Sequence, residues 1–249
     1  MHTNSMYLKF IPTVCILSQF FMSDLLHHSN TNTLRVRKAT SIDIPFLAVT
    51  SYESSLPPLN HSPWDDILEE TGTSGIKFLE ALLTASASAW GNVEDFRILE
   101  ENNKPVAAAA VYLPNQDDYR YLNLSRFADV SKLLRWSDET ITKFRLNYEE
   151  TFGKEPCNIV FKPQAPWIIE TVAVIPEARG RGLGKVLLKA LLEEGQKQGH
   201  SHAGIMIING NELARRTYES LGFKLYISFG AEYFDNGFPG LTKFRLRLN

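Results

Sequence analysis

The hydrophobic positions of this chain change period many times, and each change marks an element. Residues 34–38 alternate apolar and basic side chains and read as a strand. Thr40 and Asp43 stand where a cap belongs, ahead of a helix over 44–51. Residues 54–63 form a proline-rich loop, and 76–90 have the spacing of a second helix. Two strands, 96–100 and 106–113, flank a turn at 101–104 and predict a hairpin. Inside the second of them, Ala107, Ala108, Ala109 and Ala110 are small enough to imply that something packs closely over them.

Residues 115–166 carry two helical patterns, 125–136 and 138–152, with the aromatics Tyr119, Tyr121, Phe127, Trp136, Phe144 and Tyr148. The apolar run 167–174, bounded by Pro176, reads as a buried strand. A long amphipathic helix follows it. Leu183, Val186, Leu187, Ala190 and Leu191 form its apolar face, Lys185, Lys189, Glu193 and Lys197 the other, and Gly199 ends it. Residues 203–208 read as the next buried strand. Beyond Phe223, strands at 225–234 and 241–248 flank a turn at Asp235, Asn236 and Gly237.

Between the 167–174 strand and the long helix lies Arg179-Gly180-Arg181-Gly182-Leu183-Gly184. A strand feeding a glycine-rich turn into a helix N-terminus makes an anion site. The first helical amides lack partners, the dipole favours negative charge, and glycine lets the backbone approach a ligand. Phosphate or pyrophosphate is the expected ligand. A P-loop would need a hydroxyl after Gly184-Lys185, but Val186 stands there. A dinucleotide fingerprint aligned on Gly180 and Gly182 would need glycine at Lys185. The pattern Gln/Arg-x-x-Gly-x-Gly/Ala fits as Arg179, Gly182 and Gly184, and Asn211, Ala214, Tyr218, Gly222 and Phe223 follow it at Asn-x2-Ala-x3-Tyr-x3-Gly-Phe spacing.

Together these residues resemble the acyl-CoA core of the GNAT superfamily of N-acetyltransferases, specifically over 167–223 and more loosely on either side. The resemblance implies one α/β (α+β) domain, with a mixed, mostly antiparallel sheet flanked by helices. It also implies acetyl-CoA as cosubstrate, no metal, and an amine acceptor. The domain would span 34–249, with residues 115–166 a helical insertion between strands three and four. That insertion is either a cover for the sheet or a lid on the acceptor pocket. The resemblance assigns the pyrophosphate to the turn Gly180, Arg181, Gly182, Leu183, Gly184 and Lys185, with Arg179, Arg181 and Lys185 adding positive potential. It pairs the pantetheine arm with the backbone of Val172, Ala173 and Val174, the Val174 amide polarising the thioester carbonyl. Asn211 either bonds the arm or caps a helix.

Two side chains are the expected catalysts. Glu170 is an acid inside an apolar strand, where a period of two places it on the face of Val172 and Val174. Partial burial would raise its pKa and suit it to act as base; the alternative is a carboxylate paired with a cation of the insertion. Some members of the superfamily place the base on strand five, but Met206, Ile207 and Ile208 close that option here. Tyr218 stands two helical turns beyond Asn211, and the resemblance makes its hydroxyl the acid for the departing thiolate; otherwise it is a core aromatic. Gly222 ends its helix. Trp167 lines the pocket or anchors the strand. His200 and His202 lack acidic or cysteine partners nearby and read as a surface turn.

Composition narrows the picture further. With 44% hydrophobic and 22% charged residues, the 249-residue chain has a large core, and a net charge of −2 gives no case for nucleic acid. No stretch is long enough to span a bilayer. Cys15 and Cys157 are far apart, which fits reduced thiols in a cytoplasmic protein, monomeric or homodimeric. Residues 1–33 read as an N-terminal extension, since the apolar stretch within 10–21 is interrupted and makes a poor signal peptide. The leading expectation is an N-acetyltransferase for a small primary amine. A protein N-terminal or lysine acetyltransferase and a non-catalytic acyl-CoA sensor are the alternatives.

Overall fold

A computed structural model describes residues 33–115, 121–122, 124–152, 159–234 and 237–248. Both cysteines, Tyr119, the tip of the predicted turn at Asp235 and Asn236, and the extension up to residue 32 lie outside these. Seven strands form one sheet: β1 (Leu34–Lys38), β2 (Phe96–Glu101), β3 (Lys104–Tyr112), β4 (Trp167–Val174), β5 (His202–Ile208), β6 (Lys224–Phe229) and β7 (Leu241–Arg247). Their spatial order is β1-β2-β3-β4-β5-β7-β6, and every pair is antiparallel except β4 with β5. The mixed, mostly antiparallel sheet expected from sequence is therefore present.

Among the described residues seven α-helices cover it: α1 (Ile44–Ser55), α2 (Pro63–Ile67), α3 (Gly75–Ala85), α4 (Phe127–Leu134), α5 (Asp138–Phe152), α6 (Leu183–Lys197) and α7 (Glu212–Ser220). The Thr40–Asp43 box caps a short turn that leads into α1. Asp43 is also gripped by Arg37, whose guanidinium holds its carboxyl down to about 2. Helix α3 stops at Ala85, not Trp90, because Ser86 turns left-handed at φ 48° and the last carbonyls go to Ser86 and Ala87. The proline-rich loop is shorter than expected, since α1 runs on to Ser55 and Pro63 starts α2 behind the Ser62 cap.

The core has two halves, one on each side of the sheet. On one side Ala108 and Ala110 meet Leu47, Phe78, Leu82 and Phe144 from α1, α3 and α5. On the other Ala107 and Ala109 meet Leu183, Leu187 and Leu191 of α6 and Tyr218 of α7. The four alanines thus belong to a strand buried on both faces, and their small size lets helices approach from both. Burying Leu187 and Leu191 stabilises by about 2 kcal/mol each. The α6 stripe is rotated from the expected one: Leu188 is buried, whereas Val186 is 38% exposed. Gly195 on α6 has a packing reason, because a Cβ there would lie 2.8 Å from the Trp167 ring. Arg97 of β2, itself buried, clasps Glu194 of α6 with two bonds of 2.9 and 2.6 Å.

Helices α4 and α5 pack on α3 through an aromatic cluster. Phe127 and Phe144 stack at 4.8 Å, and Phe78 lies 5.1 Å from Phe144. Trp136 joins them and donates its indole N–H to Thr73 Oγ1 at 2.8 Å. Among the described residues no helix is long and apolar enough to cross a membrane.

Candidate active site

The site begins with a fault in β4. Ala110 pairs with Glu170 and Ala108 with Ala173, so one residue of β3, Ala109, stands opposite two of β4, Thr171 and Val172. The extra residue is Thr171, held at φ 51°. A β-branched residue in that region costs on the order of 1–3 kcal/mol, and the Thr171 hydroxyl is buried without a partner among the described residues. The bulge reverses the strand's alternation. Val172 and Val174 pack toward α6, while Glu170 shares the opposite face with Ala110 and Ala173 with Ala108. The sequence expectation that Glu170 shares a face with Val172 and Val174 fails for this reason: period-two counting does not survive an inserted residue.

Past the bulge, β4 also leaves its other neighbour. It pairs with β5 only at Trp167–Ala203 and Ile168–Gly204. Ile175 donates to Val106 of β3 at 3.0 Å, so alternation points the Val174 amide the other way, into the gap between β4 and β5. The gap opens into a cavity of about 750 Å³. The cavity runs from the glycine turn, past Val172, Ala173 and Val174, to Glu170 and an aromatic wall that includes Trp64, Trp90, Tyr112 and Tyr121.

At one end Gly180 and Gly182 sit at φ 74° and 76°, and open space lies where their side chains would be. Backbone torsion, not crowding, demands glycine at both. Gly182 caps α6, and Leu183 and Gly184 open its first turn, so their amides face the cavity mouth, while the Lys185 amide donates to the Gly182 carbonyl at 3.0 Å. Lys185 lines the cavity and has no ion-pair partner among the described residues. This cradle fits a pyrophosphate. The two arginines are already engaged. Arg179 bonds the Val174 carbonyl at 3.0 Å and Glu53 of α1 at 2.6 Å. Arg181 forks onto Glu101 and does not line the cavity.

At the other end Glu170 opens its remaining surface into the cavity and has no direct hydrogen bond or ion pair among the described residues. Burial pushes its carboxyl up to about 8, against the opposing pull of the Lys243 ammonium. Tyr218, on α7, reaches the same cavity, and its hydroxyl has no hydrogen-bond partner among the described residues. Burial and the Glu170 charge push its pKa up, which keeps the hydroxyl protonated and able to donate. Tyr112 is raised for the same two reasons and stacks on Trp90 at 4.6 Å.

The remaining expectations are placed plainly. Asn211 caps α7, accepting from the Ala214 amide at 3.2 Å, and also lines the cavity. Gly222 closes α7 at φ 95°. Trp167 anchors its strand by donating to the Leu191 carbonyl at 3.2 Å, stacks on His200 and does not line the cavity. No metal-binding group of His, Cys, Asp or Glu occurs among the described residues. Sequence reasoning passed over Glu53, Trp90, Tyr112 and Lys243, which all line the cavity. Only Lys243 left a trace in the sequence, as a cation at an inward position of an alternating strand.

Residues 148–223 match the family model described as the acetyltransferase (GNAT) family. That span holds Glu170, the glycine turn, Asn211 and Tyr218. A comparison with curated proteins finds no match. Among solved structures, an N-acetyltransferase from Staphylococcus aureus Mu50 is 19% identical, with a TM-score of 0.56 over 85% of this chain and 100% of that one. A structure described only as an acetyltransferase is 20% identical, with a TM-score of 0.51 over 86% and 100% of the two chains. At these identities the likeness is one of fold.

Proposed function

We propose that this chain, whose residues 148–223 match the acetyltransferase (GNAT) family model, moves an acetyl group from acetyl-CoA to the primary amine of a small molecule, with Glu170 as base and Tyr218 as acid. The observation that carries this reading is the continuous cavity of about 750 Å³ that joins the glycine cradle to both side chains. A cavity of this size with an aromatic wall suits a small acceptor better than an extended protein tail.

Each part of the chain has a task. The amides of the turn from Gly180 to Gly184 hold the pyrophosphate, and the β4 edge from Val172 to Val174 receives the pantetheine arm. The Val174 amide donates to the thioester carbonyl oxygen as charge develops there. Glu170 takes a proton from the acceptor ammonium, directly or through a water, and so frees the nitrogen lone pair. The new C–N bond forms as the C–S bond breaks, and Tyr218 gives its proton to the leaving sulfur. The acceptor nitrogen's protons and Glu170 return the tyrosine to its starting state through solvent.

The test is release of CoA thiol from acetyl-CoA across polyamines, arylamines, aminoglycosides, amino acids and short peptides. Release with small amines is expected. Release with peptides alone would replace this reading by protein acetylation. Tight binding of acetyl-CoA with no release would make the domain a sensor.

A further inference from the structure

Five charged side chains line the cavity: Glu53, Glu170, Arg179, Lys185 and Lys243. Two are spent on each other, Glu53 with Arg179. Lys185 stands at the α6 N-terminus, beside the phosphate cradle. That leaves one carboxylate and one ammonium deep in the site. Lys243 is 2% exposed, and its Nζ has one hydrogen bond, to the Lys162 carbonyl at 2.7 Å, plus the Phe229 ring at 5.9 Å. It makes no ion pair among the described residues. An ammonium carries three donors, so two remain without an acceptor among the described residues.

Topology puts Lys243 and Glu170 on one side of the sheet. Lys243 pairs with Met206 of β5 and shares the β7 face of Leu241, opposite Phe244, which packs toward α7. Glu170 is likewise on the face away from α6. The two groups sense each other electrostatically without touching. A buried charge lacking a counterion is costly, and a cavity containing one is built for the missing partner.

We infer that Lys243 binds a carboxylate of the acceptor, so that the substrates of this site are amino acids or related amino-carboxylates. The inference rests on the amine-acetylation reading above. An acceptor of this class would present its ammonium to Glu170 and its carboxylate to Lys243, which gives the buried ammonium the counterion it lacks. A simple amine would leave Lys243 unpaired, and the site would discriminate against it.

The test compares acceptors that differ only by the carboxylate: phenylalanine with phenethylamine, methionine with 3-methylthiopropylamine, and lysine with cadaverine. In the wild-type protein at least one amino acid is expected to exceed its decarboxylated partner in kcat/KM by about 100-fold. In Lys243→Met that ratio collapses toward one, while Lys243→Arg retains most of it. Thermal unfolding confirms that both variants fold; removal of a buried, poorly paired charge by Met is not expected to lower the midpoint. Decarboxylated amines that match or beat their amino acids in the wild type would overturn the inference and leave amine acetylation standing. So would an equal loss for both members of each pair in Lys243→Met, which would make Lys243 a positioning residue for Glu170. Silence with every amine of both panels would remove the amine reading itself, and this inference with it.

Discussion

The two ends of the cavity are built in opposite ways. The end proposed for the acyl donor comes from one continuous stretch, β4 through the glycine turn into α6, and it offers mainly backbone amides. Its arginines are engaged by carboxylates near the surface, Arg179 by Glu53 and Arg181 by Glu101. The acceptor end gathers side chains from α1, α2, the residues after α3, β3, residues 161–164, β4 and β7. Of its charged groups Lys243 is buried and Glu170 half-buried, and neither has a direct ionic partner among the described residues. A ligand held by backbone needs geometry that local sequence can supply. A reaction driven by side chains needs charges kept out of water, and only distant segments folding together can do that.

The comparison can be broken most severely at Glu170. Its carboxyl is raised to about 8, so the proton-accepting form grows as pH climbs through that value. The kcat/KM of the wild type should therefore rise with pH and level off above about 8. Glu170→Gln removes that limb and lowers the rate at pH 8 by about 100- to 1000-fold. A profile of unchanged height and shape would exclude Glu170 as the base. The same shift predicts a stability effect of opposite sense. A folded pKa above the unfolded 4.5 favours folding below pH 4.5, and that contribution is lost as pH rises through about 8. Glu170→Gln should then melt higher than wild type at pH 9.

The donor end is best tested at Gly182. Valine at φ 76° would distort the cap of α6 and turn its amides away, so the acetyl-CoA Kd is expected to rise by about 100-fold. Calorimetric titration reads this directly; tight binding by Gly182→Val would mean that the cradle lies elsewhere. Between the two ends, Tyr218→Phe should lower kcat by about 10- to 100-fold and leave acetyl-CoA affinity as it was. Parallel loss of both would make Tyr218 a packing residue. The smallest effect belongs to Arg181, which is tied to Glu101 outside the cavity. Arg181→Ala should weaken acetyl-CoA binding only about 2- to 3-fold, and less at high salt. A tenfold loss would mean that Arg181 leaves Glu101 to meet the phosphates.

Sequence by itself determined the parts of this protein that depend on neighbours along the chain. The strand–glycine turn–helix unit, the Asn211 cap, the Gly222 stop and the α5 span from Asp138 to Phe152 are all local matters of torsion, capping and period. The family pattern lies in the same stretch for the same reason. Tertiary structure alone decided the rest. The bulge at Thr171 has no local signature, since a threonine there reads as ordinary strand; pairing with β3 reveals it, and it carries Glu170 to the acceptor face. The approach of Glu170 to Lys243, and the ion pair of Glu53 with Arg179, join residues far apart in the chain. Long-range contacts of this kind leave no period in the sequence: Glu170 stands out as an acid in an apolar strand, but which charge it meets is decided only when distant strands pack together.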